Sequence, residues 1–151
     1  MPHPCLPARL AELVADLTAL SVPERLQLLV ELGDELPVLP ERLRARPELF
    51  EPVTECQSPL SVLVELDGGG DDAVVHLHFS APVHAPVTRG FAGALHTSLD
   101  GARADEVLAV PPTMPALLGL EGVVSPLRLG GLTALLARVQ RQVAVLTDCR
   151  G

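Results

Sequence analysis

Of the three cysteines in the chain, Cys56 stands apart: it lies within Glu55-Cys56-Gln57-Ser58-Pro59, just ahead of an apolar stretch, while Cys5 and Cys149 sit near the ends. A loop thiol offers nucleophilic or sulfur-transfer chemistry when it is reachable and its pKa is tuned; a buried, inert cysteine is the ordinary alternative. Placement alone does not choose between them. His76 and His78 alternate along one strand-like stretch and share a face, so with Cys56 they form a conceivable zinc site. Against that site stands the lack of any Cys-x-x-Cys pair, and the simpler expectation is that both histidines cover the solvent side of a hairpin. A Cys-His hydrolase needs a histidine oriented against Cys56, yet none of the five (His3, His76, His78, His84, His96) is singled out by its surroundings. His96 fits the solvent face of a helix, and His84 a proline-bounded loop. The carboxylates are scattered and show no pairing for general acid and base. Arg89 and Arg128 each open a helical stretch beside glycine, in Thr88-Arg89-Gly90 and in Pro126-Leu127-Arg128-Leu129-Gly130-Gly131; taken singly, each is an ordinary surface arginine.

The elements that must position these residues follow from periodicity. Leu6, Leu10, Leu13, Val14 and Leu17 recur at helical spacing and predict a first amphipathic helix ending before Ser21. Ser21-Val22-Pro23-Glu24 is a capping-box sequence, and Leu26, Leu29, Val30 and Leu32 continue a second helix. Residues 41–59 keep no sustained period and contain Pro47, Pro52 and Pro59, which predicts a long ordered loop carrying Cys56. Leu60, Val62, Val64 and Leu66 alternate as in a strand, Asp67 to Asp72 turns the chain, and residues 73–79 return, making a β-hairpin. Gly90, Ala92, Gly93 and Ala94 interleave with Phe91, Leu95 and Leu99, the pattern of a helix lying close against a neighbour. Short helical pieces are expected near Asp105 and Pro115. A long C-terminal helix, carrying Leu132, Leu135, Leu136, Val139, Val143 and Leu146, has Arg138 and Arg141 on its more polar side. Helices, then a small antiparallel sheet, then helices make an α+β fold, a small antiparallel β-sheet flanked by helices.

Composition narrows the function. At 151 residues a single domain, 1–151, is expected, with nearly half the residues apolar and 20% charged, a globular balance. A formal net charge of -8 repels a phosphate backbone, and with no Trp, no Tyr and three Phe there is little to stack on bases, so nucleic acid is a poor partner. No apolar run approaches the ~18 residues of a membrane helix, so no membrane association is expected. An odd number of widely spaced cysteines argues for thiols in a reducing, cytoplasmic compartment. Every basic side chain is arginine; without lysine the chain can neither hold pyridoxal phosphate as a Schiff base nor close a Walker-type loop.

Glu55-Cys56-Gln57-Ser58 followed by an apolar strand and glycine-bearing turn, then Ala85-Pro86-Val87-Thr88-Arg89-Gly90, then Ser125-Pro126-Leu127-Arg128-Leu129-Gly130-Gly131-Leu132, in that order, resembles the SufE family of cysteine desulfuration proteins. The likeness runs from the Ser21 helix through the last helix. It implies a fold like that of iron-sulfur scaffold proteins, with Cys56 as the persulfide-forming cysteine. It also implies the partners: a pyridoxal-phosphate cysteine desulfurase of the SufS type, whose turnover the protein raises, and a SufBCD scaffold that receives the sulfur. No resident cofactor and no independent turnover are then expected, only a transient cysteine persulfide. The resemblance makes Arg128 a desulfurase-contact residue, and Arg89, His84, Gln57 and Ser58 complete the expected partner-binding set. Because Glu51 and Glu55 oppose ionisation of the thiol, a cation from Arg128, Arg89 or the partner is expected to offset them. Two departures bear on docking: His84 stands where many relatives carry an acidic residue, and Glu55 where some carry glycine. The competing reading is a zinc-binding IscU/SufU-like scaffold that uses Cys56 with His76 and His78.

Overall fold

The computed structural model describes residues 6–150, without the side chains of residues 149 and 150, so the expectations for His3 and Cys5 lie outside the described residues. The backbone of Cys149, near the other end, belongs to the last helix. The elements are α1 (Ala8–Thr18), α2 (Val22–Asp34), α3 (Glu41–Arg44), β1 (Glu51–Pro52), β2 (Ser61–Asp67), β3 (Val74–Ser80), α4 (Pro86–Leu99), α5 (Ala104–Ala109), α6 (Met114–Leu117) and α7 (Pro126–Arg150). This is an α+β fold, a three-stranded antiparallel sheet in the order β1-β2-β3 with flanking helices. No helix among the described residues is long and apolar enough to cross a membrane.

Each of the longer elements buries the side that its pattern dictates. Leu10, Leu13 and Leu17 of α1 and Leu29 and Leu32 of α2 enter the core. So do Val62, Val64 and Leu66 of β2 and their cross-strand partners Phe79, Leu77 and Val75. Burying each such side chain contributes about 1.5–3 kcal/mol before chain entropy is counted. Glu24 closes the start of α2: its carboxylate accepts the Ser21 N–H at 3.1 Å and the Ser21 hydroxyl at 2.7 Å. Leu132, Leu135, Leu136, Val139 and Val143 press α7 onto the same core.

The small residues of α4 allow α2 to cross it at backbone distance. A methyl group at Gly93 would lie 2.1 Å from the Leu32 carbonyl oxygen, and one at Gly90 2.6 Å from the Leu29 carbonyl oxygen. On the facing side, a methyl at Gly33 would lie 2.8 Å from the Arg89 carbonyl carbon. Three glycines on two helices thus set one crossing, as the small-residue pattern of residues 90–94 predicts.

Residues 41–59 depart from the single loop expected. Leu43 is buried and anchors α3, Pro47–Leu49 forms a turn of 3-10 helix, and Glu51–Pro52 pairs with β2 in the register Glu51 to Val62 and Pro52 to Ser61. Two residues are too few to show a period, which is why β1 left no signal in the sequence.

Side chains and loops take over where the short sheet runs out of strands. Beyond β1, the Val64 N–H donates to Gln142 Oε1 at 2.8 Å, and Gln142 Nε2 donates to the Val62 carbonyl at 3.3 Å and to Glu51 at 3.0 Å. On the β3 edge the chain leaving α4 does the same work: Val75 N–H donates to Ala102, Gly101 N–H to Val75, and Leu77 N–H to Asp100 Oδ1. These bonds satisfy backbone groups that the short sheet leaves unpaired, and they tie α7 to β1 and β2.

Candidate functional site

The Cys56 loop rises from the end of the β1–β2 pair. Val53 N–H donates to the Leu60 carbonyl at 2.8 Å, and both side chains are buried, so residues 54–59 form a loop with a pinned base. Within it the Cys56 N–H donates to the Val53 carbonyl at 3.1 Å, folding the cysteine back toward α7.

Its seat is Gly131. A methyl group there would lie 3.0 Å from Cys56 Sγ, 3.5 Å from Cys56 Cα and 3.7 Å from the Glu55 carbonyl oxygen. The preceding Gly130 has open space where its side chain would be. The Gly130-Gly131 pair therefore divides: only the second glycine makes room for the thiol. Cys56 is half-buried and packs against the edge of the core.

Charge surrounds the loop. Arg138, only 19% exposed, pairs with Glu55 at 2.8 Å and with Glu51 at 3.5 Å, and Arg141 also pairs with Glu51. Burial pushes the Cys56 thiol above its ordinary value, the Glu55 carboxylate pushes the same way, and Arg138 pulls it back. Burial in the free protein thus favours the protonated thiol over the thiolate that attacks. The Arg138 guanidinium beside Glu55 holds that carboxyl below its usual range.

Within the free chain the cation that offsets Glu55 is Arg138, which the sequence reading set among polar-face residues, where a cation from Arg128, Arg89 or the partner was expected. The signal available in advance was helical phase: seven residues, about two turns, separate Gly131 from Arg138, so both share the face of α7 that the loop covers. What the chain pattern lacked was any sign that Glu51 and Glu55 converge on that face.

The other candidates are dispersed. Arg128 lies in the first turn of α7, its N–H 3.3 Å from the capping Ser125 hydroxyl, and among the described residues its guanidinium has no partner. Gln57 is exposed and Ser58 half-buried, directly after Cys56 in the loop. Arg89 donates to the Ala81 carbonyl at 3.1 Å and to the Gly33 carbonyl at 3.3 Å, tying the β3–α4 connection to the end of α2. His84 is exposed in that same connection. Arg89→Met keeps the side-chain bulk and removes both bonds; it is expected to cost about 1–3 kcal/mol in urea unfolding.

The histidines also depart from expectation. Rather than facing open solvent, His78 is largely covered, its Nε2 2.8 Å from Glu65, which also pairs with Arg42 at 2.8 Å. His76 and His78 open onto a groove under residues 36–40 with His96 and Asp100, and Cys56 is not part of it. His96, expected on a solvent face, is half-buried 3.6 Å from Asp100, and burial lowers its pKa. Among the described residues no three His, Cys, Asp or Glu side chains are grouped to hold a metal ion, so Cys56, His76 and His78 do not converge as the zinc alternative requires.

The family model for SufE, an Fe-S metabolism associated domain, matches residues 11–143, which takes in the Cys56 loop, the α2–α4 crossing and the Gly131 seat. The chain belongs to the SufE family. Two uncharacterized SufE-like proteins from strains of Mycobacterium tuberculosis are each 47% identical to it over 138 residues, covering 91% of this chain and 93% of the relative. The solution structure of a hypothetical protein from Thermus thermophilus superposes with a TM-score of 0.81 at 35% identity, covering 95% of this SufE protein and 99% of that chain. Membership associates the protein with iron-sulfur metabolism.

Proposed function

We propose that this SufE protein is a sulfur acceptor and carrier for iron-sulfur cluster assembly, with Cys56 as the persulfide-forming residue. The observation that supports it most is the seating of Cys56 at the tip of a pinned loop against Gly131, a half-buried thiol that a small loop movement exposes. The donor is a SufS-type cysteine desulfurase, whose pyridoxal phosphate supplies the chemistry that a chain without lysine does not carry. The receiver is a SufBCD-type scaffold, and the setting is the cytoplasm, where thiols stay reduced.

In the reaction the Cys56 thiolate attacks the outer sulfur of the donor's persulfide. The donor's S–S bond breaks, its cysteine leaves as thiolate, and a new S–S bond joins that sulfur to Cys56. One sulfane sulfur moves and one thiolate replaces another, so no net oxidant is needed. Taking the sulfur off the desulfurase cysteine frees that residue for another turnover, which is how a carrier raises the donor's rate. Partial burial then shields the terminal sulfur from reductants until delivery.

Intact-protein mass spectrometry under non-reducing conditions, after incubation with a SufS-type desulfurase and L-cysteine, tests this reading. The parent is expected to gain a reductant-sensitive sulfur atom that Cys56→Ser does not. Equal gain in both chains, or none in the parent with an active desulfurase, overturns it.

A further inference from the structure

Arg138 sits where a second charge beside the sulfur is needed. Helical side chains lean toward the N-terminus of their helix, and Arg138 does so: its Nη1 lies 3.4 Å from the Ala134 carbonyl, three residues from the Gly131 seat. That is about 4.5 Å of helix rise from the level at which Cys56 Sγ packs. The guanidinium is held from two sides, by Glu51 on β1 and by Glu55, the residue joined directly to Cys56. Among the described residues its Nε is buried and makes no hydrogen bond, since Glu51 at 3.5 Å is too poorly placed to accept one. A largely covered guanidinium whose buried Nε has a hydrogen to spare, moored by Glu51, can exchange Glu55 for another anion without leaving its place.

We propose that Arg138 is the positioning residue for the Cys56 anion, exchanging its ion pair with Glu55 for the thiolate, and then for the terminal sulfur of the persulfide, when the loop works. Glu55 is in this scheme the resting competitor: the carboxylate next to Cys56 occupies the cation until charge develops on sulfur. Its side chain is half exposed, so releasing it to water costs little. The charged groups that act on the thiol are Glu55 from its own loop and Arg138 from α7, and Glu51 of β1 and Arg141 of α7 are paired into the same cluster. The proposal rests on Cys56 as the sulfur acceptor, but its test does not.

The test is the pH profile of iodoacetamide alkylation of Cys56 in a chain whose Cys5 and Cys149 are replaced by serine, with thermal melting measured alongside. Arg138→Gln is expected to shift the profile to higher pH and slow alkylation near neutral pH about tenfold, one pKa unit. Arg138→Lys, which keeps the charge without the fork, is expected to restore the rate to within about threefold of the parent. Glu55→Gln, on an exposed side chain that should not disturb folding, is expected to move the profile to lower pH. A profile for Arg138→Gln that coincides with the parent overturns the proposal, as does equal slowing by Gln and Lys. Should Arg138→Gln fail to fold, Glu55→Gln decides by direction: a shift to lower pH supports the exchange, and no shift or the opposite one overturns it. No desulfurase enters these measurements, so failure of sulfur loading in the parent strikes the carrier reading, while an unmoved alkylation profile strikes Arg138.

Discussion

Gly93→Ala is expected to destabilise the protein by about 3 kcal/mol or more, at the upper end of what overpacking costs. The added methyl would stand 2.1 Å from the Leu32 carbonyl oxygen, 2.4 Å from its carbon and 2.9 Å from the Gly33 nitrogen. All three are backbone atoms of α2, so no side chain can rotate away and the two helices must part. Parting them opens the core around Leu29, Leu95 and Leu99. The roughly 1 kcal/mol that alanine gains over glycine as a helix former is too small to offset this. In thermal unfolding the midpoint should fall by about 10 °C. A variant that melts with the parent would mean that α2 and α4 do not cross at backbone distance.

The adjacent glycines of α7 give the second large effect, on reactivity rather than stability. Gly131→Leu places a side chain where Cys56 Sγ now packs and should expel the loop, raising Cys56 alkylation at neutral pH about tenfold, equivalent to about 1.4 kcal/mol of lost loop closure. The thiol gains access, and the burial that holds its pKa up is removed. Gly130→Ala is the control. Its new methyl meets nothing within 4 Å, so it should stabilise α7 by about 1 kcal/mol and leave alkylation unchanged. Equal alkylation of the Gly131→Leu chain and the parent would show that Gly131 does not seat Cys56. A response to Gly130→Ala as large as that to Gly131→Leu would point to the helix as a whole instead.

Both effects bear on the motifs that carry the family likeness. Thr88-Arg89-Gly90 proves to be a joint: Arg89 clamps the end of α2 and Gly90 admits Leu29 at the crossing. In Leu129-Gly130-Gly131 the last glycine is the floor under the thiol. Arg128, one turn ahead of that floor, is half-buried and has no partner among the described residues, which leaves it available for the desulfurase contact that the family likeness suggests.

The sequence by itself determined the α+β order, the helices through residues 6–34, the hairpin, the close-packing helix and the long last helix. Each of these rests on a period of 3.6 or 2, or on a local cap such as Ser21 with Glu24, and such signals need only neighbours a few residues away. It also distinguished Cys56 from the terminal cysteines and assigned the family. Only the tertiary structure decided that Glu51–Pro52 is a strand, that Gln142 completes the sheet edge, and that Glu51, Glu55 and Arg138 meet. The contacts of Gln142 with Val64 and of Arg138 with Glu55 join residues 78 and 83 positions apart. No local pattern encodes a pairing over that distance, because it depends on the phase of α7 against the sheet, which packing of the core sets. For the same reason the expected counter-charge was sought in Arg128, Arg89 or the partner, when helical phase and the fold pair Arg138 with Glu55, the neighbour of Cys56.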